Sequence, residues 1–154
     1  MQYLKGDLIQ LALSGEFDVI IHGCNCFCSM GAGIARQIRD TFPDAYLADL
    51  GTKPGDKNKL GKYSQAKIQI NEKVLTIING YTQYHYSGPN VLADYDAIKS
   101  LFFLIKLRFS GKKLGYPRIG AGLARGDWKT ISNIVDRQLE GEDHTLVKYL
   151  SLQK

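Results

Sequence analysis

Residues 18–36 read D-V-I-I-H-G-C-N-C-F-C-S-M-G-A-G-I-A-R, and the order of residue types in this stretch decides the fold. Asp18 to His22 is a near-continuous apolar, β-branched run, the mark of a strand buried on both faces and so interior to its sheet. Glycine and small polar residues from Gly23 to Gly33 cannot continue that strand and read as a loop. Ile34, Ile38 and Phe42 then recur at helical spacing until Pro43 interrupts. The unit is strand, glycine-rich loop, helix.

Working outward, Gln2 to Lys5 reads as a short strand. Gly51 to Gly61 is dense in turn formers and lysine, which places it on the surface as a loop. Lys62 to Ile70 and Lys73 to Asn79 form an expected antiparallel hairpin around Asn71-Glu72, the second strand being the more buried. After a tyrosine-rich loop, Gly80 to Asn90, apolar positions Ile98, Leu101, Phe102, Ile105 and Phe109 mark a helix that stops before Gly111. Lys113 to Tyr116 is a short strand ending at Pro117. A second glycine loop then leads into a helix with Ile131, Ile134, Val135 and Leu139 inward, and Thr145 to Leu152 closes as a strand. Alternating strands and helices imply an α/β sandwich with a mixed sheet.

The chain of 154 residues is 44% hydrophobic and 23% charged, enough for one buried core, so a single domain over residues 1–154 is expected. No basic start followed by an apolar run is present, and no segment approaches the roughly 20 apolar residues of a membrane span. A cytoplasmic monomer without membrane attachment is the expectation. Cys24, Cys26 and Cys28 are three cysteines at alternate positions, which is no disulfide framework and reads as reduced thiols. A net charge of +5, scattered along the chain, favours an anionic ligand and is compatible with a nucleic-acid partner, although no nucleic-acid-binding motif is present.

Two loops share the pattern G-A-G-φ-A-R, where φ is apolar: Gly31 to Arg36 and Gly120 to Arg125. Glycines let the backbone approach a ligand, and the N–H groups of a following helix favour phosphate oxygens. Two such loops suit a diphosphate. A dinucleotide-binding fold fits poorly, because Arg36 stands where the third glycine of G-x-G-x-x-G belongs and no acidic residue ends a second parallel strand about 20 residues later.

The ordered set K-G-D-L at residues 5–8, I-H-G-C-N-C with M-G-A-G-I-A, and P-R-I-G-A-G-L-A-R-G-D-W resembles the macrodomain family across nearly the whole chain. The resemblance is strongest to its small single-domain ADP-ribose 1″-phosphate phosphatases, with the de-ADP-ribosylating members nearby. It implies a three-layer α/β/α sandwich with a mixed central sheet, and ADP-ribose or ADP-ribose 1″-phosphate as ligand, with ADP-ribosylated protein or nucleic acid as further partners and no cofactor. It assigns Asp7 to the adenine amino group with Leu8 as a backbone donor, and Asn25 to the distal ribose. Ser29, Met30, Gly31, Ala32, Gly33 and Ile34 would wrap the distal ribose and one phosphate. Ile119, Gly120, Ala121, Gly122 and Leu123 would close over the diphosphate. By residue type alone Asp7 also reads as a helix cap and Asn25 as a turn residue.

Catalytic candidates are His22, Asn25 and Asp127. Imidazole titrates near neutral pH and a carboxylate can deprotonate water, although His22 also reads as a satisfied core side chain and Asp127 as a helix cap. Ala124 stands where a de-ADP-ribosylating relative carries aspartate, so a non-catalytic ADP-ribose reader stays open beside phosphatase and ADP-ribosyl hydrolase. His22 and the three cysteines place four potential metal ligands in seven positions. Alternate strand positions do not converge on one ion, and no metal is expected.

Overall fold

The computed structural model describes residues 1–149. One six-stranded sheet runs in the order β1-β6-β5-β2-β4-β3, made of β1 (Gln2–Lys5), β2 (Val19–Cys24), β3 (Tyr63–Ile70), β4 (Lys73–Tyr81), β5 (Leu114–Tyr116) and β6 (His144–Lys148). All neighbours pair parallel except β3, which pairs antiparallel with β4. The sheet is mixed, and β2 lies inside it between β5 and β4, where its apolar run requires it to be.

Strand alternation splits the apolar side chains between two layers. Ile20 of β2 and Ile77 of β4 pack against α1 (Leu8–Leu13), α2 (Gly33–Thr41) and α3 (Pro43–Leu50) through Leu8, Ile38 and Ala45. Val19, Ile21 and Ile78 face the other way, onto Leu101, Phe102 and Ile105 of α4 (Tyr95–Phe109) and Ile131 and Val135 of α5 (Trp128–Gln138). Two helical layers enclosing one sheet make the α/β/α sandwich that the motifs imply. Among the described residues no helix is long and apolar enough to cross a membrane.

Two helices have weak sequence signals. The six-residue α1 is begun by Asp7, whose Oδ1 accepts from the N–H groups of Ile9 and Gln10. Pro43 does not simply end the helix before it. Occupying the first turn of α3, it starts the next one, a position where its missing N–H costs nothing. The hairpin forms as expected, with Asn71 in the left-handed region at φ 53°. The closing strand is shorter than its sequence pattern, ending at Lys148, and residues 150–152 of that expectation lie outside the described residues.

Close packing sets a sharp requirement at Gly115 in β5, where an added Cβ would lie 2.8 Å from three carbons of the Phe17 ring. Gly115→Ala should destabilise the fold by about 1–3 kcal/mol through overpacking, read as a lower urea midpoint with unchanged slope.

Candidate ligand cleft

Parallel pairing brings the carboxyl ends of β2, β4, β5, β6 and β1 to one edge of the sheet, where α/β folds place their ligand crevices. A cleft of about 470 Å³ opens there. It is lined by Gly23, Cys24 and Asn25 at the end of β2, by Ser29 to Ala35, by Pro117 to Gly120, and by Gly122, Leu123 and Ala124; Gln83 and Tyr86 stand at its side. The two glycine loops are opposite walls of one cavity.

The first loop is wound tightly. Cys28 and Met30 take left-handed backbone angles of φ 57° and 39°, unusual for residues with a Cβ, and Gly33 follows at 59°. Its carbonyls are engaged away from the cleft. Lys59 Nζ donates to Cys26 O at 3.0 Å, the Tyr46 hydroxyl to Cys28 O at 3.3 Å, and Arg39 to Ser29 O at 3.2 Å. The N–H groups of Ser29, Met30, Gly31 and Ala32 donate to no acceptor among the described residues. The start of α2 adds more free donors, because Ala32 at its N-cap offers no side-chain acceptor.

The second loop is closed by Gly126, which donates to Gly120 O at 2.7 Å. Gly120 sits at φ 75°, and a Cβ on it would lie 3.1 Å from Ile131 Cδ1, so both conformation and space select glycine. The N–H groups of Gly120, Gly122 and Leu123 are likewise without an acceptor among the described residues. Two arcs of uncommitted backbone donors thus border one cavity, the arrangement that binds anionic oxygens.

Of the sequence-predicted binding residues, Ser29 to Ile34, Ile119, Gly120, Gly122 and Leu123 line the cleft, and Ala121 does not. Asn25 lines it too. Its Nδ2 donates to Ser29 Oγ at 2.8 Å and its Oδ1 accepts from Phe27 N–H at 2.8 Å, which leaves one N–H and one lone pair for a ligand. Asp7 and Leu8 lie outside the cleft lining but on the same sheet edge. Three strand spacings separate β1 from β2, about 14 Å, within reach of an extended dinucleotide-sized ligand. The cap uses only Asp7 Oδ1, and its second carboxylate oxygen has no protein partner among the described residues.

His22 and Asp127 are not brought to the cleft. His22 is fully buried between the sheet and α3, bonded through Nε2 to Asn79 Oδ1 at 2.7 Å, while Asn79 Nδ2 donates to Ala45 O. Burial lowers its pKa to about 4, leaving a neutral core imidazole that is no part of the cleft lining. Asp127 caps α5, accepting from the Thr130 hydroxyl at 2.6 Å and the Thr130 N–H at 3.0 Å, bonds that hold its carboxyl below the usual range. Both follow the structural alternatives that their residue types allowed.

The cysteines diverge. Cys24 lies beside His22, Cys26 donates to Gln83 O and Cys28 to Asp49 O, and burial raises the Cys24 thiol well above its ordinary value. No group of three or more metal-ligating His, Cys, Asp or Glu side chains occurs among the described residues. Gln83, Arg118 and Ala124 line the cleft without having been singled out as binders. Of the loop tyrosines, Tyr81 is buried, Tyr84 is half-buried and Tyr86 reaches the cleft. Lone polar residues in loops carry no period that would have marked them.

The fold is an α/β/α sandwich whose cleft lies between two glycine loops at the carboxyl edge of a mostly parallel sheet. No protein-family model matches the chain. It is 38% identical over 142 residues, 88% of each chain, to an uncharacterized 17.5 kDa protein in the tk-vs intergenic region of Enterobacteria phage T4. It is 26% identical over 147 residues to the ADP-ribose glycohydrolase OARD1 of Bos taurus, covering 96% of this chain and 89% of that one. A DNA ADP-ribosyl glycohydrolase of Mycobacterium tuberculosis matches at 27% over 132 residues, 84% of this chain and 36% of the longer relative. An ADP-ribose 1″-phosphate phosphatase of Meyerozyma guilliermondii matches at 39% over 46 residues, 30% of this chain and 26% of that one. Among solved structures, the macrodomain of Thermus aquaticus DarG superposes with a TM-score of 0.72 at 17% identity over 97% of both chains. Thermosipho africanus DarTG in complex with ADP-ribose gives 0.73 at 20% identity, over 100% of this chain and 43% of that one. The chain has the fold of these macrodomains.

The buried imidazole has a pH consequence. His22 stays neutral in the fold down to about pH 4, whereas in the unfolded chain it takes a proton near 6.5. Its contribution is present in full above pH 6.5 and is lost as pH falls toward 4, on the order of 3 kcal/mol. Denaturation midpoints of the wild type should fall more steeply between pH 7 and 4 than those of His22→Gln; parallel curves would show that His22 is not the source.

Proposed function

We propose that the cleft binds ADP-ribose through its diphosphate and that the protein is a hydrolase releasing ADP-ribose from modified macromolecules. The observation that carries this is the pair of uncommitted N–H arcs on the two glycine loops. Each arc offers fixed, water-replacing donors to a charge that cannot be neutralised by folding alone. Support for hydrolysis comes from the near-full-length match to an ADP-ribose glycohydrolase.

Asn25 stands at the end of β2 with one donor and one acceptor free, suited to holding two vicinal hydroxyls of the distal ribose. Among the described residues no carboxylate or imidazole lines the cleft. Rate enhancement then rests on orienting the ribose against a water, with a diphosphate oxygen of the ligand serving as proton acceptor. Asp7 Oδ2, unpartnered on the same edge of the sheet, would accept from the adenine amino group.

Phosphate removal from ADP-ribose 1″-phosphate is the second reading, favoured by the 46-residue match to such a phosphatase. It would use the same grip on the diphosphate. Following phosphate release from that substrate beside ADP-ribose release from a modified peptide separates the two activities. Tight binding without either product would mark a reader.

Gly122 has no left-handed backbone angle and open space at the Cβ position, so a larger residue fits the fold there. Gly122→Glu should retain wild-type stability and weaken ADP-ribose binding by more than about tenfold in calorimetry, because a like charge then faces the diphosphate. Undiminished affinity would move the ligand elsewhere. Asp7→Asn keeps the α1 cap but turns the free acceptor into a donor; adenosine-containing ligands should lose affinity about tenfold, while ribose 5-phosphate should not.

A further inference from the structure

Two side-chain amides line the cleft, Asn25 and Gln83, and the ribose grip uses only the first. Beyond Cys24 and Tyr81, where β2 and β4 end, the two segments continue side by side. Thr82 N–H donates to Cys24 O at 3.2 Å and Cys26 N–H to Tyr84 O at 3.0 Å. Asn25 stands between the bonded residues of one segment, and Gln83 between those of the other. The two amides are therefore neighbours across about one strand spacing, ~4.8 Å, at the same end of the cavity.

Gln83 is half-buried and fixed from several sides. Its backbone forms an antiparallel bridge with Ala93, and its carbonyl accepts from the Cys26 thiol at 3.5 Å. Its Nε2 donates to His85 O at 2.8 Å. A carbonyl can only accept, so this bond determines which end of the amide faces the loop and leaves Oε1 at the opposite end. That oxygen meets no donor among the described residues. Asn25 is held in the same manner, with part of its amide bonded to the protein and part left open.

We propose that Gln83 Oε1 holds the water that attacks the distal anomeric carbon. This rests on the proposed hydrolase activity and adds a residue to its mechanism. With Asn25 fixing the distal ribose, an attacking water must sit about 3–3.5 Å from the anomeric carbon with a lone pair aimed at it. An acceptor beside Asn25 aims that water by taking one of its hydrogens in a hydrogen bond. Gln83 supplies the acceptor, whereas Ser29 Oγ already accepts from Asn25 and Arg118 can only donate. An amide oxygen takes no proton at neutral pH, so Gln83 orients and does not act as a base. The water oxygen bonds to the anomeric carbon as the bond from that carbon to the leaving atom breaks, and the leaving atom keeps the electron pair. One water proton passes by way of a diphosphate oxygen to the leaving atom, and the other stays in the new hydroxyl of ADP-ribose.

The test follows ADP-ribose release by the wild type, Gln83→Ala and Gln83→Glu, from whichever of an ADP-ribosylated peptide or oligonucleotide the wild type turns over. Gln83→Ala should lower kcat on the order of a hundredfold, because the water is no longer aimed, and leave calorimetric affinity for free ADP-ribose within about twofold. Gln83→Glu restores an acceptor at the same reach and should recover most of the lost kcat. Its rate should climb as pH rises through the carboxylate range, a limb absent from the wild-type profile, because the carboxylate can also take the proton. Neither variant can donate to His85 O, so a role confined to holding the loop would lower both alike and add no limb. An unchanged kcat in Gln83→Ala, equal losses in the two variants, or a loss of ADP-ribose affinity that accounts for the lost turnover would each overturn the assignment. A wild type that binds ADP-ribose but releases none from either substrate would instead contradict the hydrolase reading, and this role with it.

Discussion

Backbone amides without internal acceptors govern this molecule. A loop that leaves N–H groups unpaired at the edge of a buried sheet must expose them to water or to a ligand. Here the orientation is enforced from behind: Lys59, Tyr46 and Arg39 each hold a carbonyl of the first loop and so turn the peptide planes. Left-handed angles at Cys28 and Met30 are the local cost, and residues with a Cβ tolerate them only where surroundings fix the backbone. Lys59 itself is buried, with its ammonium 4.6 Å from the Tyr81 ring centre, and Tyr81 donates to Asp49 at 2.7 Å. The binding wall is therefore supported by a polar network beneath it.

That network explains the behaviour of the titratable groups. His22, Asn79 and Ser64 form a chain under the sheet, with Asn79 Nδ2 donating to both Ser64 Oγ and Ala45 O. Burial keeps this imidazole uncharged, and its bond to Asn79 ties β2 to β4 and, through Ala45 O, to α3. The cleft is left with amide donors, Asn25, and neutral or cationic side chains, a composition suited to an anionic ligand.

Periodicity made most of the fold legible. The apolar run from Asp18 to His22 identified an interior strand, segment length and composition around the Asn71-Glu72 turn identified the hairpin, and helical spacing identified α4 and α5. Short elements escaped: α1 has six residues and little room for a period, and Pro43 reads as an end where it is a beginning. The walls of the cleft were legible because glycine-rich loops after strands have few alternatives. Roles of single polar residues were not, since His22 and Asp127 look the same in sequence whether they face a ligand or satisfy the fold. The carbonyl holders Lys59, Arg39 and Tyr46, distant in sequence from what they hold, emit no signal at all.

The proposed function requires the two glycine loops to grip a diphosphate by their backbone. Amide chemical shifts followed by NMR during titration with ADP-ribose address this directly. The N–H resonances of Gly31, Gly33, Gly120 and Gly122 should move together and saturate with one affinity. Saturable binding that leaves those four amides unmoved would contradict it.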